Sequence, residues 1–216
     1  MREMTFVAPC HFGLESVLAG EMRRLDLEGV SAADGRVLFK GDEHALARAN
    51  LCLRTAERVL VLLGEFEAKT FTELFDQVRQ LPFEEFIGRQ DAFPVKGHSN
   101  KSQLHSVPDC QSIIKKAAVE RLKEKYGVGW FEETGPVHQI QFQILKDRVS
   151  IYLDTSGAGL HKRGYRRNST EAPIKETLAA GILDLAWIRK DSTLYDPFCG
   201  SGTFLIEGAL KAMNIP

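Results

Sequence analysis

Nowhere does this sequence hold an apolar run near the roughly 18 residues that crossing a bilayer requires. The longest, Val59 to Leu63 ahead of Gly64, has only the length of a strand. Its opening, Met1-Arg2-Glu3-Met4-Thr5-Phe6, carries an acid and no extended apolar core, so it does not read as a signal peptide, and a cytoplasmic chain is expected. The four cysteines, Cys10, Cys52, Cys110 and Cys199, stand far apart with no C-x-x-C pair. That spacing argues against a zinc site and a disulfide framework, and leaves free thiols and no metal as the expectation. The eight prolines are never adjacent, and there is no low-complexity tract or internal repeat. The net charge of −1 hides an uneven distribution. Residues 1–93 hold 11 basic against 16 acidic side chains, residues 94–170 hold 13 against 7, and residues 171–216 hold 4 against 6. The basic middle is what phosphate binding needs, and is equally what a solvated face looks like.

What is present is patterned secondary structure in a chain long enough for two modest domains. Phe6-Val7-Ala8 suits a strand, and Leu14, Val17, Leu18, Met22 and Leu25 recur at helical spacing. From Val30 a hairpin is expected to turn at Asp34-Gly35 and return through Val37-Leu38-Phe39. Asp42 then caps a helix, and Val59–Leu63 supplies a last strand. The order β-α-β-β-α-β suggests a small ferredoxin-like α+β unit. A second unit opens at the capping box Thr70-Phe71-Thr72-Glu73. The polar stretch Lys96–Ser102 reads as a loop. A long helix follows from Pro108-Asp109 to Gly127, with Lys115, Lys116, Arg121, Lys123 and Lys125 off its apolar face. A hairpin around Lys146-Asp147 joins the alternating Ile140, Phe142, Ile144 and Val149, Ile151, Leu153.

The segment richest in chemistry is Leu194-Tyr195-Asp196-Pro197-Phe198-Cys199-Gly200-Ser201-Gly202-Thr203, followed by a helical pattern. It reads as strand, glycine loop and helix. Glycines at 200 and 202 permit close approach of a ligand to the backbone, and the helix N-terminus suits an anionic group. The spacing matches neither the dinucleotide-binding fingerprint nor the lysine-bearing phosphate loop. A plain strand-to-helix turn remains the alternative.

The run D-P-F-C-G-S-G-T closely resembles motif I of the Rossmann-like methyltransferases in the THUMP-containing RNA methylase family. The resemblance continues upstream through His161-Lys162-Arg163-Gly164-Tyr165-Arg166 and Ala172–Gly181, which resemble that family's lead-in segment and first helix. Lys96–Ser106 with Pro108-Asp109-Cys110-Gln111 resembles the RNA-facing loop and helix start of a THUMP domain. The fold this implies is α+β, a ferredoxin-like domain over 1–66 plus a THUMP domain over 67–156, followed over 157–216 by the incomplete start of an α/β Rossmann-like methyltransferase domain. The implied cofactor is S-adenosyl-L-methionine, held by Asp196, Pro197, Phe198, Gly200, Ser201, Gly202 and Thr203, with Thr170, Pro173, Lys175 and Glu176 as weaker candidates. Asp196 orients the loop or cofactor, or only caps the turn; the weaker four are equally helix-cap or surface groups. RNA, by resemblance 23S ribosomal RNA, is the implied partner. Its candidate contacts are Lys96, Ser99, Lys101, Ser102, His105, Ser106, Lys115, Lys116, Lys162, Arg163, Arg166 and Arg167. Tyr165 suits either base stacking or core packing.

Within the family, the bacterial enzymes that methylate the exocyclic N2 of a guanine in 23S ribosomal RNA are the closest in pattern. Methylating such an amine requires holding an extruded base, the work of an N/D-P-P-Y/F motif in this family. The chain lacks it, since no two prolines adjoin. The chain is therefore expected to be a partial polypeptide with no catalytic residue of its own, inactive alone. A stand-alone RNA-binding adaptor and a fragment of a DNA adenine methyltransferase are the competing readings.

Overall fold

The computed structural model describes residues 3–165 and 173–216. It divides into two compact units, one formed by Met1–Val59 with Ser156–Pro216 and the other by Leu60–Thr155.

The first unit opens with β1 (Met4–Pro9), α1 (Glu15–Arg24), β2 (Glu28–Ala33), β3 (Arg36–Gly41) and α2 (Glu43–Cys52). β2 and β3 form the expected hairpin, with Gly35 at φ +68° in its turn, where a residue with a Cβ would be strained. β1 pairs antiparallel with β3, which brings Phe6 opposite Phe39 with ring centroids 5.0 Å apart. The apolar stripe of α1, centred on Leu18 and Met22, is buried, as its helical spacing predicts. Asp42 accepts from the backbone N–H groups of His44 and Ala45, so the predicted N-cap forms. The same unit carries α5 (Glu176–Leu185) and α6 (Thr203–Ala212), packed on one another. Close packing explains Gly181: a Cβ there would lie 2.4 Å from Leu14 Cδ1.

The second unit begins with β4 (Leu60–Glu67), a strand where the apolar run Val59–Leu63 predicts one, longer than that run. β4 pairs antiparallel with β7 (Arg148–Asp154), and a bulge at Leu62/Gly64 carries it past the apolar run. The unit continues with α3 (Phe71–Arg79), β5 (Val95–Asn100), α4 (Val107–Tyr126) and β6 (Ile140–Leu145). Its strands run in the order β4-β7-β6-β5, with β5 parallel to β6 and the other pairs antiparallel. Both halves of the capping box form, Thr70 Oγ1 accepting from Glu73 N and Glu73 accepting from Thr70 N. α4 has proline in its first turn and ends on Gly127 at φ +62°. Lys146 and Asp147 both adopt positive φ, +51° and +64°, as a two-residue hairpin turn demands.

Two expectations of local structure fail. Lys96–Asn100 is strand rather than loop: a polar sequence sits at the edge of a sheet with a parallel partner distant in the chain. No strand is assigned over Leu194–Asp196, because no described segment provides a ladder for it. Among the described residues no helix is long and apolar enough to cross a membrane.

Candidate functional site

The glycine loop folds as a compact turn onto α6. Asp196 Oδ1 accepts from Phe198 N at 3.1 Å, and Gly202 N donates to Cys199 O at 2.7 Å. Asp196 thus does the turn-capping job that was one of its two expected roles. Gly200 and Gly202 sit at φ +50° and +74°, both in the left-handed region that glycine alone enters without strain. Gly202 is the N-cap of α6, and among the described residues no atom beyond its chain neighbours lies within 4 Å of where its Cβ would be. An open space therefore faces the backbone at the positive end of a ten-residue helix. Ser201 Oγ and Thr203 Oγ1 lie 3.2 Å apart, with Thr203 buried. Tyr195 and Phe198, 83% and 93% exposed, flank the loop, and Pro197 is exposed beside them.

The lead-in residues are arranged around two carboxylates that the sequence did not single out. Glu57 accepts from Thr177 Oγ1 at 2.5 Å and from Lys175 Nζ at 3.4 Å. His11 Nε2 and His161 Nδ1 lie 3.1 and 3.5 Å from its oxygens, but off the hydrogen-bonding direction, so these contacts are ionic when the imidazoles are protonated. Burial pushes the Glu57 carboxyl up. The Thr177 hydrogen bond and the charges of Lys175 and His11 outweigh it and hold the group below the usual range. Glu207, fully buried on α6, meets Arg54, Arg163 and Tyr165. Burial first, then the Glu207 hydrogen bond and charge and the charge of Glu176, pushes the Tyr165 phenol well up.

These contacts sort the expected residues. Lys175 is the N-cap of α5 and pairs with Glu57, Glu176 is buried in the first turn of that helix, and Pro173 is half-buried ahead of it. Arg163, expected at an RNA-facing surface, is corrected to an interior position: 13% exposed, it bonds Arg54 O at 2.5 Å and faces Glu207. Tyr165 donates to Glu207 at 2.8 Å, which favours packing over stacking. Lys162 is exposed. Thr170, Arg166 and Arg167 lie outside the described residues.

On the second unit, alternation along β5 puts Lys96, His98 and Asn100 outward, and Lys101 follows, exposed, at φ +50°. His105 and Lys116 are also exposed, the latter 5.8 Å over the Phe75 ring. Ser106 is the N-cap of α4 with no side-chain capping bond. Three expected contacts already have partners within the chain. Ser99 donates to Leu104 O at 2.6 Å, and Ser102 donates to Asn100 O while accepting from Asp147 N, so these hydroxyls shape the loop. Lys115 is held 2.5 Å from Glu133 and 3.4 Å over the Phe93 ring. Asp147, which no motif flagged, also accepts from Gln103 N and so ties the hairpin tip to that loop.

A sheet-and-helix unit with an outward basic strand, and a glycine loop capping a helix in the other unit, define a chain that joins a THUMP domain to the opening of a methyltransferase domain. Residues 5–60 match the family described as RlmL ferredoxin-like domain, residues 68–154 the THUMP domain, and residues 163–216 the RMKL-like methyltransferase domain. The chain therefore carries, in order, an RlmL-type ferredoxin-like domain, a THUMP domain and the opening of an RMKL-like methyltransferase domain. It is 49% identical to YpsC of Bacillus subtilis strain 168, a protein provisionally described as an RNA methyltransferase, over 100% of this chain and 56% of that one. It is 33% identical to the ribosomal RNA large subunit methyltransferase K/L of Psychromonas ingrahamii, over 98% of this chain and 28% of that one. Among solved structures, a protein of Listeria monocytogenes described as a predicted N6-adenine-specific DNA methylase superposes with a TM-score of 0.95. The two are 48% identical, over 99% of this chain and 56% of that one. The methyltransferase-like protein SMU.472, solved in complex with SAH, gives 0.93 at 42% identity over 100% and 57%. The chain thus spans just over half of YpsC and of the two structural relatives.

Proposed function

We propose that this chain is the RNA-capturing and cofactor-gripping part of an S-adenosylmethionine-dependent RNA methyltransferase. The observation that carries the reading is the Gly200-Ser201-Gly202 loop, both glycines at positive φ and open space before the Gly202 backbone. The methionine end of the cofactor fits that space: its carboxylate suits the N-terminus of α6, and Asp196 sets the loop's turn. The chemistry the cofactor brings is an activated methyl group on sulfur, ready for a nucleophilic amine. The SAH complex of SMU.472 supports the choice of ligand. The outward Lys96, Lys101, His105 and Lys116 give the THUMP domain phosphate contacts without base readout.

The finer proposal is that the acceptor is the exocyclic N2 of a guanine in 23S ribosomal RNA, in keeping with the K/L relative. The Listeria relative's description favours a DNA adenine acceptor instead, and the THUMP match weighs against it. Duplex DNA as competitor in the binding assay separates the two.

Binding of a 23S ribosomal RNA fragment is expected to be weak and steeply salt-dependent, and Lys101→Glu is expected to weaken it about tenfold at low salt. A filter-binding titration at two salt concentrations checks this; affinity indifferent to salt and to the substitution contradicts the electrostatic account. With labelled S-adenosylmethionine and that RNA, the chain alone is expected to transfer no methyl group, because it holds no adjacent-proline base-holding motif. Transfer above background in a purified sample contradicts that expectation.

A further inference from the structure

A carboxylate with no exposure at all sits one turn behind the glycine loop. Glu207 lies four residues after Thr203 on the same face of α6, and both are buried. Burying a carboxylate is costly unless cations and hydrogen bonds surround it. Here three groups from outside the helix converge. Tyr165 OH donates to Oε1 at 2.8 Å. Arg163 Nε stands 3.0 Å from the same oxygen, an ionic contact off the hydrogen-bonding direction. Arg54 approaches Oε2 at 3.5 Å and the Glu207 carbonyl at 3.3 Å. The guanidiniums are themselves mostly buried, 13% and 15% exposed, and Arg163 additionally donates to the Arg54 carbonyl. Behind Arg54, its backbone N–H donates to Glu21 at 2.7 Å, and Glu21 also accepts from the Thr55 hydroxyl at 2.6 Å. Two stretches of chain, the segment after α2 and the lead-in, therefore meet α6 at one side chain, and α1 braces the first of them through Glu21.

We propose that Glu207 is a positioning residue, which fixes the pose of α6 and its glycine loop by clamping the helix to Arg54, Arg163 and Tyr165. The inference rests on the reading of that loop as the cofactor grip. A helix turns about its axis as a body, so a buried contact one turn from its N-terminus sets where its first N–H groups point. Nothing else in the first two turns of α6 is both charged and buried. Arg163 is accordingly part of the clamp and not of the RNA surface. Replacing Glu207 by glutamine keeps the shape but leaves two buried guanidiniums without their counter-charge, so the helix loses the reason to sit against them.

The test compares the wild-type chain with Glu207→Gln and Tyr165→Phe, the second removing one hydroxyl and leaving every charge in place. Hydrogen–deuterium exchange reads the loop without any ligand. Peptides covering 199–206 are expected to exchange about tenfold faster in Glu207→Gln, with peptides of α4 unchanged. Tyr165→Phe is expected to move the same peptides in the same direction by less. Calorimetry with SAH is expected to show affinity reduced about tenfold in Glu207→Gln, the scale on which outer-shell supports act. A lowered thermal midpoint in either variant with unchanged exchange at 199–206 overturns the proposal, since Glu207 then only stabilises the fold. Faster exchange there in Glu207→Gln, together with a wild-type chain that itself ignores SAH, defeats the cofactor reading and upholds the clamp.

Discussion

Gly202→Val is expected to weaken SAH binding by more than about 100-fold, which removes it from the range calorimetry can read. Two effects combine. At φ +74° a β-branched residue is strained by about 1–3 kcal/mol, so the loop leaves the conformation that presents its backbone. If the loop holds, the new isopropyl group occupies the open space that the ligand needs, because the described residues beyond its chain neighbours place nothing within 4 Å there. That emptiness also limits collateral damage, since valine meets no neighbour to displace. RNA binding is expected to survive, because Lys96 and Lys101 belong to the separate Leu60–Thr155 unit. Filter binding with RNA beside the calorimetry checks both halves. Unchanged SAH affinity contradicts the site assignment, and joint loss of both activities indicates misfolding, which a thermal melt reveals.

Gly97→Ala is expected to have the largest effect on the second unit, although it adds one methyl group. An ideal Cβ at residue 97 would lie 2.2 Å from the Phe142 carbonyl oxygen and 2.5 Å from its ring. The obstacle includes backbone of the neighbouring strand, so no rotamer change relieves it, and β5 must shift away from β6. Overpacking of this kind costs about 3 kcal/mol. For a unit of this size that lowers the unfolding midpoint by on the order of 15 °C. RNA binding is expected to fall with it, since β5 carries Lys96 and leads directly into Lys101. Differential scanning calorimetry on the variant decides the matter; an unshifted midpoint contradicts the packing of β5 against Phe142.

The elements whose causes are local were legible in the sequence. Thr70 and Glu73 specify their helix start within four residues, Pro108 and Gly127 bracket α4, and Asp42 caps α2 through its own oxygen. β5 was not legible, because Lys96, His98 and Asn100 look like loop residues until β6 supplies a parallel ladder beside them. The same reasoning explains Leu194–Asp196 in reverse: its apolar pattern announces a strand, but a parallel strand exists only with partners.

At the candidate site, the glycine loop was readable because positive φ selects glycine, and Gly200 and Gly202 both adopt it. The supporting carboxylates were not. Glu207 sits among Phe204, Leu205, Ile206 and Ala209, and a lone acid in an apolar helix face was the only signal. Its partner Arg54 stands 153 residues away in sequence. The partners of Arg163 and Ser99 were hidden for a related reason: a basic or hydroxylated residue looks available to RNA until Glu207 or the Leu104 carbonyl is seen to engage it.

The central claim, that this chain grips S-adenosylmethionine at its glycine loop, is tested most directly by ultraviolet cross-linking of labelled S-adenosylmethionine to the unmodified chain, followed by peptide mapping. The account predicts label on peptides spanning Asp196–Thr203, displaced by excess unlabelled SAH. Label that SAH does not displace, or label confined to the Leu60–Thr155 unit, contradicts it.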